Sequence, residues 1–425
     1  NSSLNKSGTD RRNQVLYTMS NFDLNRNLGI DKLHENAYAK DLSAVDHHPG
    51  QFTVLNMEGA RYVYGIAAYS HSQKVVSFAV EGSDIDNECI EVDSPNQVDH
   101  ENNLVSYDPG IDNSIGNTKG TDHHFNSVTT PHFAHSYLLT SVLNADYIDA
   151  DNIQGPSQGD LGGYLSFNYK KIDGYQWRNP INFSEATLNE GMHTDRTDDK
   201  GNYIYGEKEL WYLDTIKSKN HIAIFHTSKR EDGYGTNGVN GGVSLANPCM
   251  QKLDKIELYS LPEYNADPAS AIPLKVVHFE YDYMLCSHYP QNIDLGSDDL
   301  GTGKLTLKKV YFTYGNSNKG MYSPYAFGYG TNPAFNMTAM DRWGNYKASS
   351  SYYGSVASDP LRNSDFPYVG FDQTAADYSA SAWLMDTIHL PSGGRIEVAY
   401  ESDDYAFVQH KKAQNMFKII GVESV

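Results

Sequence analysis

The sequence predicts an all-β protein in which successive antiparallel hairpins form an extended, twisted sheet that curls into part of a shell. Three observations lead to this prediction. Alternating apolar and polar residues recur along most of the 425 residues, and a period of two places one face of a strand inward. The chain has 32 Tyr, which suit half-buried pleated surfaces. Asn, Gly and Asp cluster between these runs, where turns require them.

The patterning divides the chain into three regions. Residues 1–50 are polar and aperiodic, and we expect an irregular N-terminal segment. Residues 51–133 predict a small β region with a long acidic loop. Residues 134–425 predict a region of repeated β-hairpins that continues beyond the last residue given.

The small β region begins with a hairpin signal. The run FTVLNMEGARYVYGIAAY contains two alternating stretches around the turn at residues 56–59. Residues 74–82 (KVVSFAVEG) predict a further strand. Residues 83–131 are acidic and rich in Asn, Gly and Pro, so we expect a long loop or a small insertion there.

From residue 134 the chain alternates between a first arm of the form Leu-x-x-Ile/Val and a second arm that mixes aliphatic residues with Phe or Tyr. Two of these hairpins align closely, because each has a Trp, then Asp-Thr-Ile, then a turn and a returning strand. The aligned positions are Trp211, Asp214 and Ile216 in one copy and Trp383, Asp386 and Ile388 in the other. If they are copies of one unit, both Trp should be buried in equivalent sites; the alternative is coincidence. Repeated two-stranded units favour a spiralling sheet.

The charge of the chain restricts its partners. The net charge is −20, whereas binding to nucleic acid or to an anionic membrane surface needs concentrated Lys and Arg. No apolar window approaches the ~18 residues of a membrane helix. The chain starts without Met or a signal peptide and stops in an apolar run, so we expect it to be cut from a longer protein.

The cysteine count excludes a disulfide framework and a cysteine-rich metal site. There are three Cys, with no close pair among them. A single bridge between Cys249 and Cys286 stays open as an alternative.

Several stretches resemble the RHS/YD-repeat proteins and the B-component shells of insecticidal toxin complexes, including their SpvB-like region. They are FTVLNMEGARYVYGIAAY, ELWYLDTIKSKNHIAIFH, DRWGNYK at residues 341–347 and LPSGGRIEVAYESDDYAFVQ. The resemblance covers roughly residues 50–82 and 134–412. It is closest to very large proteins of Gram-negative bacteria that are secreted or displayed on the surface through the type IX export route.

This resemblance implies a sheet wound into a hollow shell that encloses a C-terminal effector. It implies a structural, non-enzymatic scaffold, secreted or at the cell surface. Its partners would be the remainder of its own longer chain, as an effector or signal domain, and the secretion machinery. The self-cleavage motifs of the family have no counterpart here, since Asp108–Gly110 lies in the wrong place, so no protease residues are carried over.

Three other functions stay open from the sequence. An adhesin or carbohydrate-binding module would use exposed aromatic residues such as Trp211, Trp343 and Trp383. A secreted glycoside hydrolase would need two or three converging carboxylates, one of them buried. The chain could also be a passenger captured with an export machine.

The strongest polar cluster lies in the loop NADYIDADNIQGPSQGDLGG at residues 144–163. It brings four candidate oxygen ligands for Ca²⁺ close in sequence, namely Asp146, Asp149, Asp151 and Asp160. The alternative is a solvated acidic turn, because the spacing departs from a standard calcium loop. We expect no other cofactor, and we expect the scattered His residues to lie at the surface.

Overall fold

The computed structural model describes residues 15–25, 45–80, 98–99, 104–151, 155–189, 198–292, 301–336, 339, 345–346, 373–403, 407–408 and 410–412. Strands dominate these residues, and the predicted all-β class is confirmed. Within these ranges the helices are too short or too polar to span a bilayer.

The strands are β1 (Leu16–Ser20), β2 (Pro49–Leu55), β3 (Arg61–Ala79), β4 (Val98–Asp99), β5 (Leu104–Ser106), β6 (Phe125–Thr130), β7 (Phe133–Leu143), β8 (Tyr164–Asn179), β9 (Glu185–Asn189), β10 (Lys200–Lys217), β11 (His221–Thr236), β12 (Val243–Ser260), β13 (Lys275–Leu285), β14 (Lys304–Thr313), β15 (Tyr325–Gly328), β16 (Thr387–His389), β17 (Arg395–Glu397), β18 (Phe407–Val408) and β19 (Lys411–Lys412). The α-helices are α1 (Asn21–Asn25), α2 (Leu261–Ala266) and α3 (Gln373–Ser381), and a 3₁₀ turn spans Lys319–Tyr322.

Strands β1 to β17 belong to one antiparallel sheet, and β18 pairs with β19 apart from it. From β10 to β17 each strand pairs with the next one along the chain. This meander confirms the predicted series of antiparallel hairpins.

The first predicted hairpin is formed by β2 and β3, with Phe52 opposite Tyr64. Its turn is held by the Asn56 side chain, whose Oδ1 accepts the backbone N–H groups of Glu58 (3.0 Å) and Ala60 (2.8 Å). Gly59 supplies the positive φ of +85° that the turn requires. Of the further strand expected at residues 74–82, residues 74–79 form the end of β3, which is one strand of 19 residues, and residues 81–82 lie outside the described residues.

Strands β3, β7, β8 and β10 form a closed ring of hydrogen-bonded pairs. One edge of β3 pairs with β6 and β7, and its other edge pairs with β2 and β10. Strand β7 also pairs with β8, and β8 pairs along its length with β10. Register shifts in β3 and β10 mark bulges, which increase the local bend that such a closure requires.

Strand pairing crosses the boundaries between the three regions that were expected from the sequence. Because β6 and β7 lie on the same edge of β3, the sheet continues across the boundary expected at residue 134. The segment 1–50, expected to be irregular, contains β1, and β1 pairs with β2. Residues 83–131 contain β5 and β6 as well as turns.

The main apolar core lies where β3, β5, β9 and β10 meet. Its buried members are Val76, Phe78, Val80, Val105, Tyr107, Ala186, Leu188 and Tyr203. The ring of Phe78 packs edge-on against Tyr107 at 5.1 Å, and Tyr107 stacks on Tyr203 at 5.8 Å. Alternation along β3 contributes to this core, because Val76 and Phe78 are two residues apart and point to the same side of the strand.

The meander bends back on itself. The Asp232 carboxylate on β11 accepts the backbone N–H of Leu305 on β14 (3.0 Å), and the Glu231 N–H donates to the Tyr283 hydroxyl on β13 (3.0 Å). Strand β11 is not a sheet neighbour of β13 or β14. The sheet therefore curls enough for strands two and three places apart to touch.

The two aligned tryptophans do not occupy equivalent sites, which corrects the expectation from the sequence. Trp211 lies in the middle of β10, whereas Trp383 follows α3 in a turn with φ +60°. Both side chains are half-buried. The Asp-Thr-Ile segments are more alike, because Thr215–Lys217 and Thr387–His389 each form the first arm of a hairpin. The similarity between the two stretches therefore stops short of the tryptophans.

Cys249 and Cys286 are both free and buried, so the single bridge left open by the sequence is absent between these two residues. Burial raises the pKa of each thiol. Both Cys therefore act as small apolar packing groups.

Candidate functional site

The predicted calcium loop brings three of its four aspartates together. The carboxylate oxygens of Asp149, Asp151 and Asp160 lie within 4.8 Å of one another. Asp146 instead uses its Oδ1 to accept the Gly163 N–H at 3.2 Å. A backbone bridge between Ile148 and Leu161 closes the base of the loop and forces the convergence.

Asp160 is the anchor of this loop. It is 1% exposed and accepts hydrogen bonds from the Tyr147 hydroxyl (2.6 Å), the Ser157 N–H (2.8 Å) and the Ala150 N–H (3.1 Å). Burial on its own would raise the pKa of this carboxyl, but the three donors outweigh it and hold the pKa below the usual range. The carboxylate thus organises the loop through hydrogen bonds, and calcium binding here stays a prediction.

A second cluster, which the sequence reading missed, lies on the strands of the ring. His71 on β3, Asp173 on β8 and Glu209 on β10 place their ligand atoms within 4.8 Å of one another. The His71 Nε2 is 2.7 Å from Asp173 Oδ1. We call these three residues the ring cluster.

Glu209 is the buried member of the ring cluster, with 2% of its surface exposed. Its Oε2 accepts the backbone N–H of Tyr69 (3.0 Å) and the indole N–H of Trp211 (2.9 Å), and its Oε1 pairs with the Lys171 ammonium. Three donors, one of them charged, compensate for the burial of this carboxylate.

Lys171 connects both carboxylates of the ring cluster. Its Nζ pairs with Glu209 and lies 3.5 Å from Asp173 Oδ2, and it is 5.7 Å from the ring centre of Trp211. Burial on its own would lower the pKa of this lysine, but the two carboxylates raise it above its usual value. Lys171 therefore stays in its protonated, ammonium form between the two carboxylates.

Two further histidines border the cluster. The His132 ring stacks on Tyr69 at 4.2 Å and on His71 at 5.5 Å between ring centres. The pKa of His135 is lowered by burial and by the nearby Lys208. The expectation that the histidines lie at the surface is therefore wrong for His71 and His132, which are partly buried, whereas His135 is exposed.

Alternation is the signal that could have revealed the ring cluster. Each member of the ring cluster has, two positions away on the same strand, a residue that contacts the cluster, and residues two apart share one face of a strand. These pairs are Tyr69 with His71, Lys171 with Asp173, and Trp211 with Glu209. The sequence does not show which strands pair, and residues 71, 173 and 209 are far apart along the chain. Only the closed ring brings the three faces together.

Two converging carboxylates with one buried is the arrangement that a glycoside hydrolase needs. In the ring cluster, however, the buried Glu209 already accepts three hydrogen bonds, from the Tyr69 N–H, the Trp211 indole and the Lys171 ammonium. This geometry favours a structural carboxylate over an acid catalyst.

Two of the three candidate sugar-stacking tryptophans, Trp211 and Trp383, are described, and the indole N–H of each is bonded within the protein. Trp211 is held by Glu209, and the Trp383 indole donates to the Pro333 carbonyl (2.8 Å) and packs against Tyr346 at 4.6 Å. Trp343 lies outside the described residues, as does most of the 341–347 motif.

Comparison with known proteins gives no match to a protein-family model, a curated protein or a solved structure. The proposals below therefore rest on the geometry of this chain and on the resemblance seen in its sequence.

Proposed function

We propose that this chain is a structural scaffold, a wall segment of a large secreted or surface protein that encloses or presents a C-terminal effector. The observation that carries the proposal is the continuity of the sheet, in which a closed ring of four strands runs on into a meander of hairpins. A hydrogen-bonded wall of this kind restricts access by steric exclusion and needs no catalytic group.

The partly exposed side chains of the meander support this role. A polar row across β11 and β12 is formed by His226, Lys255 and Glu257, and the Glu257 carboxylate contacts both partners at 2.6–2.7 Å. Lys309 and Glu280 form a similar pair across β13 and β14 at 3.0 Å. Such cross-strand rows allow a sheet to face water, and the net charge of −20 favours solubility.

Protection from proteases tests the proposal. The protein would be isolated from its native producer and its mass compared with the 47.4 kDa of this chain. We expect a larger protein whose additional part resists protease until urea opens the sheet. The control is the same additional part expressed by itself, which should be cleaved quickly. Equal cleavage in both contexts would contradict an enclosing role.

Two further assays on the purified chain test the adhesin and glycoside hydrolase alternatives. We expect neither binding to a glycan array nor hydrolysis of a panel of glycosides. Glycan binding that is lost in Trp211→Ala would favour an adhesin. Hydrolysis that is lost in Glu209→Gln would favour a glycosidase. Recovery with an export machine, and loss of that association once the chain is released, would favour a passenger.

A further inference from the structure

We propose that His71, Asp173 and Glu209 bind one divalent transition-metal ion of the zinc type, which ties β3, β8 and β10 together. The three side chains come from three strands of the closed ring, and their ligand atoms already lie within 4.8 Å of one another. This site goes beyond the scaffold function, since it adds a ligand that would lock the ring.

The chemistry of the three ligands selects the class of metal. One imidazole nitrogen and two carboxylate oxygens suit Zn²⁺, which binds at about 2.0–2.2 Å from such atoms in tetrahedral sites. Ca²⁺ instead takes six to eight oxygens, and Mg²⁺ keeps an octahedral shell of oxygens. Three protein ligands leave a fourth position on Zn²⁺ for water.

The Lys171 ammonium already lies against both carboxylates of this site. It contacts Glu209 and lies 3.5 Å from Asp173, so the two carboxylates create a site that favours positive charge. The Lys171 side chain is one-third exposed and its long stem can turn toward water. A divalent ion would then replace the ammonium and neutralise both carboxylates.

This competition gives the proposal a distinctive consequence. If the ammonium and the metal share the carboxylates, removal of the lysine must strengthen metal binding. A partly exposed ion pair corresponds to about a fivefold change in affinity, so we expect Lys171→Met to bind Zn²⁺ about fivefold more tightly. A lysine with a purely structural role would give no such gain.

The experiment is a calorimetric titration of the folded, purified chain with Zn²⁺. We expect one ion per chain at this site, and a loss of affinity of at least about tenfold in His71→Ala and in Asp173→Asn. Asp173 has a 59% exposed side chain, so its substitution should leave the fold intact, which circular dichroism would verify. The Trp211 fluorescence should also change, because its indole donates to Glu209.

Asp151→Asn in the separate aspartate loop is the matched control and should leave the Zn²⁺ affinity unchanged. A Cys89, Cys249 and Cys286 to Ser background excludes binding by thiols. The proposal is overturned if Zn²⁺ binds neither the native chain nor the Lys171→Met variant. Equal affinity in folded His71→Ala, or weaker binding in Lys171→Met, would overturn it as well.

Discussion

The Glu209 carboxylate accepts the backbone N–H of Tyr69 at the point where β10 separates from β3. The last residue pair of these two strands is Lys208 with Ser70, so the ladder between them ends one residue before Tyr69. A buried N–H without an acceptor is costly. The side chain of Glu209 therefore replaces a backbone carbonyl and allows β10 to continue beside β8.

This relationship predicts that Glu209→Ala destabilises the fold. The substitution removes the carboxylate that the Tyr69 N–H, the Trp211 indole and the Lys171 ammonium share, at a cost of about 3–5 kcal/mol in the free energy of unfolding. Urea denaturation followed by circular dichroism measures it. Glu397→Ala is the control, because its side chain is 63% exposed and pairs only at the surface, and it should change stability by less than about 1 kcal/mol. Equal effects would contradict the role of Glu209.

A second prediction concerns the bend of the meander. Asp232 is 2% exposed, accepts two hydrogen bonds from Arg230 and receives the Leu305 N–H. We expect Asp232→Asn to cost about 2–4 kcal/mol, since it leaves Arg230 without its charged partner. Glu280→Gln, which removes an exposed pair with Lys309, should cost less than about 1 kcal/mol. Chemical denaturation of both variants tests the difference, and a larger loss for Glu280 would be contrary to this account.

The stability of the chain should fall in acid partly because of Asp160. Its pKa is depressed in the folded state, so its stabilising effect is present above the unfolded value of about 3.9 and is lost as the pH falls through the folded value. Urea denaturation at several pH values between about 2 and 7 should therefore show a smaller loss on acidification in Asp160→Asn than in the native chain. Tyr147→Phe, which removes one donor, should lie between the two. Identical pH profiles would exclude this contribution.

Two glycine substitutions distinguish the free-energy cost of a positive φ from the cost of a steric overlap between a new Cβ and the neighbouring backbone. Gly162 and Gly110 have similar φ values of +79° and +82°, but a Cβ at Gly162 would overlap the Asp146 carbonyl, while a Cβ at Gly110 meets nothing within 4 Å. We expect Gly110→Ala to cost about 1–2 kcal/mol from φ strain. Gly162→Ala should cost distinctly more, because the base of the aspartate loop must open. Thermal unfolding compares them, and equal losses would mean that the loop adjusts freely.

Local patterns were sufficient to predict many elements of this fold. The hairpin around Asn56 and Gly59 and the strand pairs from β10 onward follow from alternation and turn residues, which act over a few positions. The convergence of Asp149, Asp151 and Asp160 was also visible, because these residues share one short loop. Equivalence of Trp211 and Trp383 was inferred from residue identity, which does not report that Trp383 follows a helix.

The sequence by itself determined the all-β class, the order of the hairpins and the acidic character of the chain, since each depends on composition or on neighbours along the chain. Only the tertiary structure decided that β3, β7, β8 and β10 close into a ring. Strand pairing between distant segments depends on register and twist, which period-two patterns leave undetermined. For the same reason, His71, Asp173 and Glu209 become neighbours only in the folded protein.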